Sequence, residues 1–550
     1  MKLSDAIAQV SAPGEIFETR TRGMLREFVH APESLRDLVD AARGDPRPFL
    51  LFGEEEWSFA RVVEGADALS TYLVSELGLR RGDRVAIAMR NRPEWVVTLA
   101  AVTQVSLVLV ALNPWWSEED LSDAISDADP RALIVGEELS EFARRLTESH
   151  SLTVIRVVRE STPSGPASFG VDFHELLRGP VGNLEPRPRR DDVATMLFTS
   201  GTTGRSKGAV STHGAITQAL LAFSAGLVIE SVRSNETDSP SETVPILLVP
   251  LFHVTGLIPV LLSSIAWKFR LVVASHWDPG EVLALIARHG VTHVIGVPTQ
   301  IYDLLHAPGS ERTDLSSVRR LGGGGAPAPV DLVNQVEERL EGGRSFLGYG
   351  LTETNAYGPQ NYAEDYVRRP GSTGQVPTIV MDVEIRDDKG RRCAVGEVGE
   401  IWVNGPTLAR GYWRRDEETR AAFVEGWFRT GDLGYLDDED FLYVVDRVKD
   451  VIIRAGENVY CAQVEAVLSR HPKVVTSVVV GLEDERLGQR VGALVVVRAT
   501  DRVSEEEIRE FATRHLARYQ VPSDIVISAS PVPVTATGKV KKDLVRSIYF

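Results

Sequence analysis

Cysteine is nearly absent from this chain: Cys393 and Cys461 are the only two in 550 residues, far apart and without metal-ligand spacing. That count excludes a disulfide framework and offers no thiolate zinc pattern, and it suits a reducing cytoplasm. Positive charge is also scarce, with 60 Lys and Arg against 77 Asp and Glu and a net charge of -17. A balance of that sign repels polyanions, and no long basic run offsets it, so nucleic acid is excluded as the main ligand and any phosphate must be gripped by local groups. Uninterrupted membrane-length apolar runs are missing too. Residues 96–112 include Thr98, Thr103, Gln104 and Ser106, and 244–267 are broken by Pro250, His253, Gly256 and Pro259, so both are expected in a buried core. The opening MKLSDAIAQVSAPGEIFETR is polar with early acids, which predicts neither a secretory signal nor a transit peptide.

What the chain does have is length enough for more than one core and an ordinary globular composition, 43% hydrophobic and 25% charged. Short β-branched runs such as RVAIAMR (84–90), ALIVG (132–136), TMLFTS (195–200), RLVVAS (270–275) and HVIGVP (293–298) alternate with helix-period segments. This alternation predicts an α/β fold with largely parallel, buried strands. Segments 159–168, 183–192 and 231–243 read as surface loops. Beyond about residue 380, short strands with turn signals (DVEIRDDKG, GEIWVNG, GYLDDEDFLYVVDR) predict a small antiparallel, barrel-like subdomain. From 447 onward the pattern is a compact α+β unit with helices around QVEAVLSR and EEEIREFATRHLA and strands TSVVVG and GALVVVRA. The predicted organisation is therefore a large multi-subdomain N-terminal domain, 1–446, and a small mobile C-terminal domain, 447–550, with the boundary near Lys449.

The richest local signal is LFTSGTTGRSKGAVSTH, 197–213, set between the apolar strand ATMLFT and a second short strand GAVST. Residues 199–208 interleave six hydroxyl or lysine side chains with three glycines. Glycines at a strand end let backbone N–H groups approach phosphate oxygens, while Thr199, Ser200, Thr202 and Thr203 add donors, Gly201 and Gly204 add freedom, and Lys207 adds charge. The pattern is that of a polyphosphate cradle. It is not the common nucleotide loop, because Lys207 follows Ser206 and not glycine.

TSGTTGRSKG resembles the signature loop of the adenylate-forming superfamily, which includes acyl-CoA synthetases, beetle luciferases and peptide-synthetase adenylation domains. Further motifs of that family follow in order across roughly residues 50–545. GGGGAP (322–327) and LGYGLTET (347–354) resemble the stretches that enclose the adenine ring and α-phosphate. The resemblance implies that Gly324, Gly325, Ala326, Pro327, Tyr349 and Gly350 bind nucleotide. The glycines would allow a flat ring to approach and Tyr349 would stack on it. Thr352 would donate to the α-phosphate, and Glu353, with Thr199, would hold Mg²⁺. Asp432 and Arg447 match the family's ribose site, Lys449 its hinge, and Gly456 of RAGEN the loop beside the thiol tunnel. VPVTATGKVKK (532–542) resembles the catalytic-lysine motif and places Lys539 at the active position, with Lys541 and Lys542 left as solvated charges. VPLFHVTGL (249–257) resembles the segment flanking the substrate: His253 would gate or wall the pocket and take part in catalysis, with Val254, Thr255, Gly256, Val297 and Gly348 lining the tail site. One departure is visible: 104–114 read QVSLVLVALNP where relatives usually carry a Gly-Ala pair ahead of the strand.

The resemblance implies an acid–thiol ligase that uses ATP, Mg²⁺ and coenzyme A. It would activate a fatty or bulky apolar or aryl acid as acyl-AMP and then form the thioester. The small residues around His253 favour such an acid over acetate. Three other readings stand beside it: delivery to a carrier-protein thiol or adenylation followed by oxidation, a non-catalytic nucleotide-binding homologue, and a scaffold protein. Glu353, Asp432 and Lys539 speak against the second of these, and the phosphate loop against the third. The expected location is cytoplasmic with no transmembrane segment. A homodimer and peripheral membrane association are left open.

Overall fold

The computed structural model describes the whole chain except residues 150–151, 159–168, 200–205, 235–242, 327, 329–330, 341–343 and 535–539. The chain divides into a larger unit, Met1–Asp382 with Asn404–Phe428, and a smaller one, Val383–Val403 with Arg429–Phe550.

Two sheets, each of eight strands among the described residues, organise the larger unit. In the first, Arg84–Ala88, Val108–Ala111, Ala132–Gly136 and Thr153–Val157 run parallel, and β1 (Val193–Thr199) joins them parallel to Val108–Ala111. β2 (Lys207–Thr212) returns antiparallel to β1. Valine, isoleucine and leucine fill these strands because both faces are covered: Val85, Ile87, Leu109, Ile134 and Val135 are fully buried. In the second sheet Pro245–Leu247, His293–Gly296, β3 (Arg320–Gly324) and β4 (Arg344–Gly348) lie side by side and parallel. The first sheet is completed at its edge by β5 (Gly411–Tyr412), antiparallel to β2.

The two suspect apolar stretches are core, as expected. Residues 96–112 complete a buried helix, Pro93–Gln104, and the strand Val108–Ala111. Most of their polar groups find partners: Thr98 and Thr103 donate to the carbonyls of Glu94 and Leu99, and the Gln104 amide donates to Ser70 and Asp67, although its own oxygen, Oε1, is buried with no hydrogen-bond partner among the described residues. Ser106 stands ahead of the strand with φ 58°, the left-handed region where glycine costs least, and its hydroxyl donates to Pro186 O at 3.0 Å. The departure in sequence thus falls on a residue that must hold an unfavourable torsion. Residues 231–234, expected in a loop, belong to the helix His213–Ser234, and the rest of that expected loop, 235–242, lies outside the described residues, as does the one expected at 159–168. Among the described residues this is the one helix long and apolar enough to cross a membrane, and 61% of its apolar window is buried in the fold.

The smaller unit contains antiparallel strands Gly399–Asn404, Trp427–Leu436 and Phe441–Arg447, the last two paired in register, as the turn signals predicted. Its C-terminal sheet is built on the hairpin Val474–Asp484 and Gly488–Val497. Period-two alternation splits that hairpin between two cores. Val479, Val491, Ala493 and Val495 face α1 (Cys461–Leu468) and the helix Glu505–His515, while Val478, Val480, Leu482 and Leu494 face α2 (Lys542–Tyr549) through Val545. The strand Asp524–Ser528 and α2 itself were not read from the sequence, where the segment looked like a polar tail.

His213, at the head of its helix, is fully buried and accepts Leu35 N–H at Nδ1. Burial pushes its pKa down to about 4, Arg81 adding to the effect and Asp192 opposing it. The unfolded imidazole titrates near 6.5, so the unfolded chain binds the extra proton first. Stability is therefore intact above that value and lost as pH falls toward 4, by about 3 kcal/mol over the interval. Thermal unfolding at pH 7 and pH 4.5 should show a smaller acid loss in His213→Gln than in the native chain; equal losses would contradict this origin.

Candidate active site

In the second sheet, four neighbouring parallel strands end side by side, and each is followed by a segment singled out from the sequence. His253 follows Pro245–Leu247, Val297 follows His293–Gly296, Gly325 and Ala326 follow β3, and Tyr349 and Gly350 follow β4. The carboxyl ends of parallel strands are where an α/β sheet offers converging loops and free backbone donors to a ligand.

The glycines of 322–325 turn out to serve two purposes. A Cβ at Gly322 would stand 2.1 Å from Phe346 O, at Gly323 1.7 Å from Gly296 O, and at Gly324 2.3 Å from Gly348 O. These three are glycine because the neighbouring strands pack backbone to backbone, which differs from the expectation that all four make room for a ring. Gly325 alone is open, with φ +82° and Val297 Cγ1 4.0 Å from its Cβ position. Gly350 is similarly closed by Ala356 O, 2.1 Å from a Cβ, inside a turn where Asn355 and Ala356 both have positive φ. Tyr349 is half-buried, its N–H donating to Pro359 O. Thr352 and Glu353 begin the one-turn helix Thr352–Thr354.

The first sheet contributes β1 and β2 to the same region, where Tyr412 beside β2 reaches Glu353. Thr199 ends β1 opposite Lys207, and its hydroxyl donates to Lys207 O at 3.5 Å. Ser200, Gly201, Thr202, Thr203 and Gly204 lie outside the described residues, as do Pro327 and Lys539. The Lys207 ammonium pairs with Glu418 and sits 5.4 Å from the centre of the Tyr412 ring. Tyr412, on β5 beside β2, donates its phenol to Glu353 Oε1 at 2.8 Å. Burial, with Glu353 next to it, holds the Tyr412 phenol well above its ordinary pKa, so it stays a donor. Glu353 is 7% exposed, and its carbonyl accepts Ala409 N–H at 2.7 Å. Lys207, Tyr412 and Glu353 thus form one connected group. Neither Tyr412 nor Glu418 was legible in the sequence, since ARGYWRRDEE carries no local signal beyond an ordinary strand and turn.

On the acyl side, His253 is half-buried and its Nδ1 accepts Thr255 N–H at 3.3 Å. The segment is held by Asn91, another residue without a sequence signal: its amide donates to Val249 O and its oxygen accepts Leu251 N–H. Val254 is 2% exposed, and a Cβ at Gly256 would stand 2.5 Å from Pro250 O, so these two are small or buried because the chain folds tightly there. A π-helical turn, Gly256–Leu262, follows with Pro259 inside it. Thr255, Val297 and Gly348 are half-buried.

Within the smaller unit, Asp432 and Arg447 are paired across neighbouring strands, Arg447 Nε 3.1 Å from Asp432 Oδ1. Lys449 is exposed in the single turn Val448–Asp450. Gly456 has φ +87° with open space around it, and with Ala455 at φ 52° it makes the hairpin turn after Ile452–Arg454.

Residues 39–413 match the family model described as AMP-binding enzyme, and residues 463–539 match the AMP-binding enzyme C-terminal domain. Feruloyl-CoA synthase of an Amycolatopsis species is 35% identical over 498 residues, 90% of this chain and 93% of that protein. The long-chain-fatty-acid–CoA ligase of Bacillus subtilis is 32% identical over 525 residues, 91% of each chain. Among solved structures, o-succinylbenzoate CoA synthetase (MenE) of Bacillus subtilis, in complex with the acyl-adenylate intermediate OSB-AMP, superposes with a TM-score of 0.80 at 28% identity, covering 94% of this chain and 98% of its own.

The two kinds of glycine separate under substitution. Gly323→Ala should prevent folding of the larger unit or lower its melting point severely, because the obstructing atom is a backbone carbonyl inside the ladder. Gly325→Ala meets open space and carries only the torsional cost of about 1–2 kcal/mol. Melting temperatures of the two variants test this, and equal losses would contradict the assignment.

Proposed function

The chain belongs to the AMP-binding enzyme family, and from that premise we propose that its acid substrate is a fatty or bulky aryl carboxylic acid, held near His253, Thr255, Val297 and Gly348. It is an ATP-dependent acid–thiol ligase of the acyl-CoA synthetase type. A carboxylate resists thiol attack because of its charge and resonance, so it is first converted to acyl-AMP. The carboxylate oxygen attacks the α-phosphorus of ATP and pyrophosphate leaves; the coenzyme A thiolate then attacks the acyl carbonyl and AMP leaves.

The connected group Lys207, Tyr412 and Glu353 is the observation that supports these roles best. Lys207 and Thr199, with residues 200–204 between them, are assigned to the leaving phosphates, and Thr352 to the α-phosphate. Among the described residues no three His, Cys, Asp or Glu side chains cluster as a metal cage. That fits Mg²⁺, a hard cation usually bound through one or two carboxylates, waters and substrate phosphates; Glu353 and Thr199 would hold it. When bound, the ion supplies charge neutralisation on the phosphates. Gly324, Gly325, Ala326, Pro327, Tyr349 and Gly350 are assigned to the adenine side, and Asp432 and Arg447 to the ribose. Lys539 would stabilise charge at the reacting phosphorus during the first step. The functional division of the chain is placed at 1–446 and 447–550, with Lys449 as the hinge and Gly456 beside the pantetheine arm in the second step. A cytoplasmic location accompanies this reading.

A panel of fatty and aryl acids, with ATP, Mg²⁺ and coenzyme A, should yield AMP and thioester together for at least one member. Release of AMP without thioester would move the acceptor to another nucleophile. Lys539→Ala should abolish acid-dependent ATP–pyrophosphate exchange and spare thioester formation from supplied acyl-adenylate; equal loss of both would remove the role given to that lysine.

A further inference from the structure

Lys541 is exposed, as a solvated charge should be, but Lys542 is not. Its side chain is 21% exposed and its Nζ lies 3.2 Å from Glu465 Oε1, itself 24% exposed. The same carboxylate oxygen accepts the N–H of Val479, so Glu465 fastens α1 to the central hairpin as well as to Lys542. Beyond this ion pair the charges of Asp446, at the end of Phe441–Arg447, and of Asp450 act on the ammonium, and Cys461, on the same helix as Glu465, donates its thiol to Asp450 O at 3.0 Å. Burial pulls Lys542 toward the neutral form, but the charges of Glu465, Asp446 and Asp450 outweigh it and hold the amine well above its ordinary pKa. Burial raises Cys461 to about 12, so the thiol stays protonated, and the negative charge in the nest belongs to the carboxylates.

The place of this nest in the chain gives it meaning. Lys542 opens α2, which is anchored by Val545 in its apolar cluster and by Arg546 donating to Gly481 O at 3.0 Å. Just before it, Val540 bridges Val534 and Lys541 N–H donates to Pro533 O at 2.9 Å, so the chain is fixed on both sides of 535–539. Lys539 is therefore three residues from an ammonium paired with Glu465, whose helix is joined to Asp450 through Cys461. Asp446 and Asp450 flank Lys449 in the sequence.

We propose that Lys542 is a positioning residue for adenylation: its ion pair with Glu465, on the helix that Cys461 fastens to Asp450, ties the segment carrying Lys539 to the segment carrying Lys449. The inference rests on the roles given above to those two lysines and deepens them. A reacting group misplaced by about 1 Å can lose about a hundredfold in rate, so loss of the anchor should fall on the half-reaction that uses Lys539.

The test uses the full-length chain with Lys542→Met, Lys542→Arg, and Lys542→Met combined with Glu465→Gln. Each is measured for acid-dependent ATP–pyrophosphate exchange, for thioester formation from supplied acyl-adenylate, and for melting temperature. Lys542→Met should lower exchange by at least about tenfold and change thioester formation by less than about twofold, and Lys542→Arg should restore most of the exchange. The double variant, which removes both buried charges, should regain the melting temperature without the exchange; it also carries the test if Lys542→Met alone does not fold. Recovery of exchange in the double variant, equal loss of both half-reactions, or native exchange in Lys542→Met would each overturn the proposal. Absence of exchange in the unaltered chain would instead overturn the functional reading on which it rests.

Discussion

The hydrogen bond from the Tyr412 phenol to Glu353 Oε1 joins an edge strand of the first parallel sheet to the turn that follows a strand of the second. Without it the phosphate strands and the nucleotide-side turn would be separate features of separate sheets. With it, a buried carboxylate is aimed by a neutral donor, and the same ring lies under the Lys207 ammonium. A carboxylate, a phenol and a cation are thereby held in one low-dielectric place before any ligand arrives. Preorganisation of this kind is how phosphoryl chemistry is accelerated, since charge stabilisation then requires little rearrangement at the moment of reaction.

Much of the architecture was legible because it rests on patterns that burial imposes directly. Two-sided burial writes continuous β-branched runs, and these marked the parallel strands and the C-terminal hairpin; turn signals between short strands marked the antiparallel elements. The segment 197–213 drew the proposal of a phosphate site for a different reason: hydroxyls, glycines and one lysine at a strand end have few structural explanations, and its residues 200–205 lie outside the described residues. The strand Asp524–Ser528 and the final helix escaped because each is short, five and eight residues, too little for a pattern to stand out.

Where residue-level reading departed from the structure, the cause was tertiary. Gly322, Gly323 and Gly324 looked like ligand-facing glycines, yet backbone carbonyls of adjoining strands occupy the space their side chains would need. Lys542 looked like one more surface charge, and only the fold brings Glu465 to it from far earlier in the chain. Tyr412 and Asn91 had no signal at all, because a lone tyrosine or asparagine acquires a role only from what it touches. Ser106 is the converse case, a visible oddity in sequence whose physical content is a left-handed torsion retained without glycine.

Equilibrium binding of ATP to the full-length chain and to Tyr412→Phe, each with Mg²⁺ and with EDTA, bears most directly on the claim that Tyr412 aims Glu353 at the metal–phosphate group. Losing one hydrogen bond to a charged partner is worth about 1.5–3 kcal/mol. The account predicts that Tyr412→Phe weakens binding about tenfold or more with Mg²⁺ and leaves the affinity in EDTA nearly unchanged. Equal weakening in both conditions, or none in either, would contradict it.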